Sequence, residues 1–145
     1  MQITTMQDIG GCRVVLRHLD AVYELNDHIN GQWGEMVTNF YDYIEDPPDS
    51  GYRALHVVVE GDERLIEIQL RTERQHRWAD YVEELGRDMG DELKSGEGPS
   101  PVLKFFALLA DAMAWRDRNE LVPQALVEEL ESAFEQAQPC IADIE

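Results

Sequence analysis

The sequence predicts one α+β domain, with a mixed or antiparallel sheet of about four to five strands flanked by helices. The chain has 145 residues, a length that suits a single domain with a modest core. Two runs rich in β-branched residues stand on either side of a short "GDE" turn, which is typical of a hairpin. Further along the chain, apolar residues recur at helical spacing in several segments.

The first third of the chain predicts two strands and a helix between them. "CRVVLR" follows the Gly10–Gly11 pair and predicts the first strand. The helix is predicted by apolar residues at helical spacing, and a loop follows it around Gly31 to Gly34. "EMVTNFYDYI" predicts the second strand, and the prolines of "EDPPDSG" end it in a loop. The apolar residues of this helix are Leu19, Val22, Leu25 and Ile29.

The next two runs, "YRALHVVVE" and "RLIEIQLR", predict the third and fourth strands of the sheet. In the fourth strand the side chains alternate between an apolar face and a polar face. Glu67, Gln69 and Arg71 share the polar face, together with Leu65. The alternation therefore predicts a row formed by an acid, an amide and a guanidinium on one side of the sheet.

The remainder of the chain predicts three helices. Thr72 and Gln75 have the spacing of a capping box at a helix start. "SGEGPSP" interrupts the pattern, and the apolar segment from Val102 to Trp115 predicts a buried helix. Pro123 suits the first turn of a last helix. We expect residues 1–116 to form the domain and residues 117–145 to pack on it. In the first of these three helices the apolar residues on one face are Trp78, Val82, Leu85, Met89 and Leu93. In the last helix they are Leu126, Leu130, Phe134 and Ala137.

The charge and the composition exclude several classes of protein. A formal net charge of −18 repels phosphate backbones, so broad nucleic-acid binding is disfavoured. Cys12 and Cys140 lie far apart and fit no metal or redox spacing, which indicates reduced thiols in a cytoplasmic protein. "FFALLADAMAW" is too short to span a bilayer, and the N-terminus has no signal-peptide pattern.

Several polar residues near the predicted hairpin could form a nucleotide site. An aspartate and a glutamate on separate strands, Asp8 and Glu67, can jointly hold Mg²⁺, which takes carboxylates together with substrate phosphates. Arg13 could bind a phosphate or a base. Tyr52, which shares a face of the predicted third strand with Ala54 and His56, could stack on a base. An ordinary solvated face, a hydrogen-bonded histidine and a turn aspartate explain the same residues, and the pattern alone leaves both explanations open.

Four motifs, in this order, carry a resemblance to a known family. They are "DIGGCRVV", "DYIEDPPDSGYRALH", "IEIQLRTERQHRWAD" and "LKSGEGPSPVLKFFALLADAMA". From Gln7 to about Ala114 the chain resembles the RelA/SpoT synthetase domain, in particular its small stand-alone members. The resemblance implies a nucleotidyltransferase-like synthetase fold and a GTP pyrophosphokinase. Such an enzyme transfers pyrophosphate from ATP to the 3′-hydroxyl of GDP or GTP, with Mg²⁺, to give (p)ppGpp.

The resemblance also implies roles for individual residues. Asp8 falls on the metal-binding aspartate and Glu67 on the essential glutamate, which would either bind the metal or help to activate the attacking hydroxyl, and the sequence leaves these two roles open. Arg13 falls on an arginine that stacks on the ATP adenine, and Tyr52 on a tyrosine that stacks on guanine. The other implied substrate-binding residues are Ser50, His56, Gln69, Arg71 and His76.

The sequence departs from the family pattern at two places. The family's loop usually reads Pro-Lys-x-Asn-Gly-Tyr, but Pro48 replaces the lysine and Ser50 the asparagine, so the acceptor is left open. Members also carry a basic ATP-binding stretch before the first motif, and this chain has seven residues before Asp8. We therefore expect that this N-terminal segment is missing.

These departures keep two other functions open. A toxin-like relative would pyrophosphorylate an adenosine nucleotide or the 3′ end of tRNA, although the negative charge argues against tRNA. A non-catalytic domain would bind nucleotides or a partner subunit, and the glutamate-rich last helix could form a homo-oligomer contact. We favour packing of that helix on its own domain. No hydrolase motif is recognisable, which predicts synthesis of the alarmone without its breakdown.

Overall fold

The computed structural model describes residues 10–142. Within this range the chain forms four strands and four α-helices, with short 3-10 turns at Gly34–Met36 and Leu93–Ser95. The elements are β1 (Gly10–Leu16), α1 (Leu19–Trp33), β2 (Val37–Asp42), β3 (Leu55–Gly61), β4 (Arg64–Thr72), α2 (Glu73–Met89), α3 (Ser100–Asp117) and α4 (Gln124–Ala142). The predicted α+β class with a mixed sheet is confirmed.

The described residues fall into two compact units. The first comprises residues 10–46 and 54–73 and contains the whole sheet with α1. The second comprises residues 47–53 and 74–142 and contains α2, α3 and α4. In the described residues no helix is both long and apolar enough to cross a bilayer.

The sheet of the first unit has the order β1-β4-β3-β2. β1 runs parallel to β4, whereas β3 is antiparallel to both β4 and β2. The predicted hairpin joins β3 to β4, and its turn residues Asp62 and Glu63 have φ values of 51° and 63°. Two positive φ angles in a two-residue turn match the twist of the strands, and asparagine, aspartate and glycine are the residues that adopt them most easily, so Asp62 is a favoured residue there and Glu63 is not.

The apolar face of this sheet packs against α1. Val22 and Ile29 of α1 form a buried cluster with Leu55, Val57 and Leu70 of the central strands. Each of these three strand residues is fully buried. Because the side chains of a strand alternate, burial of this face turns the neighbouring residues of β3 and β4 to the opposite side.

The second unit is a helical cluster built around α2, α3 and α4. Trp78 and Val82 of α2 pack with Val102 and Phe106 of α3, and Ala137 of α4 completes the core. The indole Nε1–H of Trp78 donates to the backbone oxygen of Phe106 at 2.9 Å, so the large ring is buried with its polar atom satisfied.

The structure corrects several boundaries. The third strand begins at Leu55 and not at Tyr52, and α1 continues through Gly31 to Trp33, where we expected a loop. Leu93 lies in a separate 3-10 turn after α2 ends at Met89, although it is buried in the same core. In α4 the buried positions are Ala133 and Ala137, while Phe134 of the predicted stripe is 43% exposed.

Candidate active site

The polar face of the sheet brings together side chains from three strands of the first unit. On β4, Glu67 pairs with Val58 of β3, and Gln69 pairs with His56. On the other side of β4, Gln69 pairs with Arg13 of β1. Residues paired across neighbouring strands have adjacent side chains on the same face. Gln69 is therefore the centre of a row that runs from Arg13 to His56.

A chain of hydrogen bonds joins these side chains. The guanidinium Nε of Arg13 donates to Oε1 of Gln69 at 3.3 Å, and Nε2 of Gln69 donates to Oε1 of Glu67 at 2.7 Å. The Nδ1 atom of His56 lies 3.5 Å from the same oxygen of Glu67. The amide of Gln69 thus links a cation to a carboxylate and holds both on the open face, where 35% of the Glu67 side chain is exposed.

Two tyrosines of the first unit extend this face, and sequence reasoning missed them. Tyr41 of β2 pairs with His56, and the ring of Tyr43 contacts the imidazole edge-on with centroids 5.1 Å apart. The rings of Tyr41 and Tyr43 are stacked, with centroids 5.7 Å apart and planes 4° from parallel. Alternation within "NFYDYI" carries the signal, because it places both rings on one face.

Asp42, on the opposite side of β2, holds the turn that carries Tyr43. Its Oδ1 accepts the backbone N–H groups of Ile44 and Glu45, each at 3.0 Å. The hydroxyl of Tyr23 on α1 donates to Oδ2 at 3.1 Å. Burial raises the pKa of Tyr23, and the charge and hydrogen bond of Asp42 raise it further. The phenol is therefore kept protonated beside the carboxylate.

Arg71 does not continue the solvated row as expected. It is 2% exposed, and its neighbours Leu70 and Thr72 are fully buried. The end of β4 is covered on both faces, so alternation no longer distinguishes a wet side from a dry side there.

The remaining predicted residues lie in the second unit. Tyr52 is half-buried in the loop of residues 47–53, and its backbone N–H donates to Oγ of Ser50 at 3.4 Å. A pocket of about 520 Å³ is lined by this loop and by the turn that contains Lys94. His76 lies in the first turn of α2, where its Nε2 is 3.1 Å from Oδ2 of Asp80.

Of the two predicted Mg²⁺ ligands, the structure describes Glu67. Asp8, one of the two predicted ligands, lies outside the described residues. Within residues 10–142 no three His, Cys, Asp or Glu side chains gather in an arrangement that could hold a metal ion. Glu67 fits the ion nonetheless, because Mg²⁺ is commonly held by one or two carboxylates plus substrate phosphates and keeps waters as its other ligands.

Comparison with known proteins shows matching sequences over most of the chain. A family model described as "Region found in RelA / SpoT proteins" matches residues 1–85. GTP pyrophosphokinase YjbM of Bacillus subtilis is 28% identical over 141 residues, which cover 92% of this chain and 64% of that protein. The bifunctional (p)ppGpp synthase/hydrolase RelA of Mycobacterium tuberculosis is 31% identical over 112 residues, which cover 76% of this chain and 15% of that protein. The chain thus spans less than two thirds of the length of either relative.

Solved structures show the same fold. The small alarmone synthetase 1 of B. subtilis, bound to its product pppGpp, aligns with a TM-score of 0.62 and 24% identity over 75% of this chain and 58% of that chain. A GTP pyrophosphokinase family protein of Streptococcus pneumoniae aligns with a TM-score of 0.59 and 24% identity over 90% and 66% of the two chains. With more than half of its residues matched by the family model, the chain belongs to the family of proteins that contain the RelA/SpoT region.

Proposed function

We propose that this chain is a pyrophosphokinase domain that transfers pyrophosphate from ATP to the 3′-hydroxyl of GDP or GTP, giving (p)ppGpp. The observation that carries the proposal is the hydrogen-bonded row of Arg13, Gln69 and Glu67 with His56 beside it. It combines a carboxylate, an imidazole and a guanidinium on one open face. Membership of the RelA/SpoT family and the similarity to a GTP pyrophosphokinase support the proposal.

In the proposed reaction the acceptor's 3′-oxygen forms a bond to the β-phosphorus of ATP. The bond from that phosphorus to the bridging oxygen of the α-phosphate breaks, and AMP leaves. The proton of the hydroxyl passes to the carboxylate of Glu67, whose position is set by the amide of Gln69 at 2.7 Å. Phosphoryl transfer depends mainly on positioning and on electrostatic stabilisation, and the prealigned row provides the first of these.

The other residues would bind the two nucleotides and the metal. Asp8 and Glu67 would hold Mg²⁺, which neutralises charge on the phosphates when bound. Arg13 would contact the ATP adenine or its phosphates through its exposed guanidinium. Tyr52 would stack on the acceptor's base, with Ser50 beside it. We place this reaction in the cytoplasm, where both substrates occur.

The test is transfer of label from [γ-³²P]ATP in the presence of MgCl₂ and a panel of acceptors. We expect labelled product with GDP and GTP, formed together with one AMP per transfer. ADP, AMP and tRNA serve as the alternative acceptors. Label found only on tRNA or only on an adenosine nucleotide would show that the acceptor is not a guanine nucleotide. No transfer to any acceptor would refute the proposal for this chain.

A further inference from the structure

The pocket of the second unit brings a cation close to an aromatic ring. It is about 520 Å³ in volume, and Tyr52 and Lys94 contribute to its lining. The Nζ atom of Lys94 lies 5.6 Å from the centroid of the Tyr52 ring. A base that stacks on this ring, at a usual spacing of about 3.5 Å, would bring the rest of its nucleotide within reach of the ammonium group.

The backbone that carries Lys94 is firmly anchored. The preceding residue, Leu93, is 3% exposed and belongs to the core of the second unit. The N–H groups of Ser95 and Gly96 donate to the backbone oxygens of Glu92 and Leu93, each at 3.0 Å. Gly96 has a φ of 87°, which suits glycine and closes the turn. The position of the lysine at the pocket is therefore built into the fold.

The side chain of Lys94, in contrast, is held by a contact that can exchange. Its Nζ lies 2.6 Å from Oε1 of Glu83, and the two side chains are 36% and 46% exposed. Ion pairs exposed to this degree stabilise a protein little, because water screens them. A phosphate group carries more charge than a carboxylate and offers more acceptor oxygens, so it can displace Glu83.

We propose that Lys94 binds the phosphates of a nucleoside di- or triphosphate whose base stacks on Tyr52. This inference rests on the proposed function, since it assigns a phosphate-binding residue to the acceptor. Glu83 acts against binding, because it holds the ammonium group while the pocket is empty. Asp49, which also lines the pocket, adds negative charge and makes the lysine the group that lets phosphates enter.

The experiment is calorimetry on the full chain with GDP and, separately, with guanosine. The chain has two lysines, so Lys104→Gln on the exposed side of α3 is a matched control for Lys94→Gln. We expect Lys94→Gln to weaken GDP binding by about tenfold or more and to leave guanosine binding unchanged. Lys94→Arg should restore most of the affinity for GDP, and Glu83→Gln should strengthen it several-fold.

Three outcomes would overturn the inference, and a fourth would uphold it while refuting the proposed function. Equal GDP affinity of the Lys94→Gln and Lys104→Gln variants would show that Lys94 binds no phosphate, while the transfer reaction could still stand. An equal loss of guanosine and GDP binding would make the role of Lys94 structural. Absence of GDP binding by the unmodified chain would refute both the inference and the guanine acceptor. Lys94-dependent GDP binding without any pyrophosphate transfer would uphold the inference and refute the proposed function.

Discussion

Replacing Glu67 with glutamine separates the chemical role of the carboxylate from its packing, because the two side chains have nearly the same size. In the folded chain Oε1 of Glu67 accepts a hydrogen bond from Gln69 at 2.7 Å and lies 3.5 Å from Nδ1 of His56. The variant loses a negative charge and keeps an oxygen at the same place. The proposed proton acceptor and metal ligand is thus removed with little change in shape.

The effect on stability should be small. The new side-chain oxygen can still accept from Gln69, so the loss is the difference between a charged hydrogen bond, about 1.5–3 kcal/mol, and a neutral one, about 1 kcal/mol. The Glu67 side chain is 35% exposed, and solvent screening reduces this difference further. Removing one negative charge from a chain at −18 also relieves repulsion. We expect the free energy of unfolding to fall by less than about 1 kcal/mol and Tm by a few degrees.

The effect on catalysis should be large. Loss of a positioned general base lowers the rate by about 10²- to 10⁴-fold. Initial rates of label transfer and thermal unfolding, measured on the same preparation, compare the two effects. Glu60→Gln is the matched control, because Glu60 lies on β3 and shares the polar face of the sheet with Glu67. A Glu67→Gln variant that keeps its rate within tenfold, or that loses it together with its fold, would refute the role assigned to Glu67.

Two further predictions concern the framework of each unit. Gly51→Ala should destabilise the fold by about 1–3 kcal/mol, since Gly51 has a φ of 94° and an added Cβ would lie 2.8 Å from Cβ of Ala110. Gly61→Ala meets no atom within 4 Å and should change Tm little, so equal shifts of the two variants in thermal melts would contradict the packing argument. The raised pKa of Tyr23 means that the folded chain keeps this proton at a pH where the unfolded chain, with an ordinary pKa of about 10, releases it. Stability should therefore fall as the pH rises above about 10, and Tyr23→Phe should lessen this fall in urea unfolding at pH 8 and pH 11; an unchanged fall would contradict the burial of the phenol beside Asp42.

Local pattern was sufficient for the elements whose periodicity is strong. The hairpin of β3 and β4 follows from two alternating runs around a two-residue turn, and α2 begins at Glu73, directly after the predicted cap Thr72. The ends of the elements were harder to predict from the sequence, since they depend on packing against residues far away in the chain. Tyr52 reads as a strand residue in "YRALHVVVE", but it belongs to the loop that packs with the second unit.

The site was predictable where it depends on residue type and alternation. Glu67 and Gln69 share a face as expected, and their partner Arg13 is brought beside them by the parallel pairing of β1 with β4. That pairing joins strands far apart in sequence, so alternation alone could not place Arg13 next to Gln69. Lys94 was missed for the same reason, because only the folded second unit brings its turn to the loop of Tyr52.

The central claim is that the polar face of the sheet is where metal and nucleotide bind. Substoichiometric Mn²⁺ in place of Mg²⁺, added with ATP to the ¹⁵N-labelled chain, reports this directly, because the ion broadens the amide signals nearest to it. The account predicts that the signals of Gly11, Val58 and Glu67 broaden first, since these three residues are neighbours across β1, β3 and β4, and that Glu67→Gln abolishes the effect. Broadening confined to the exposed glutamates of α4, such as Glu128 and Glu129, and unchanged by Glu67→Gln, would contradict it.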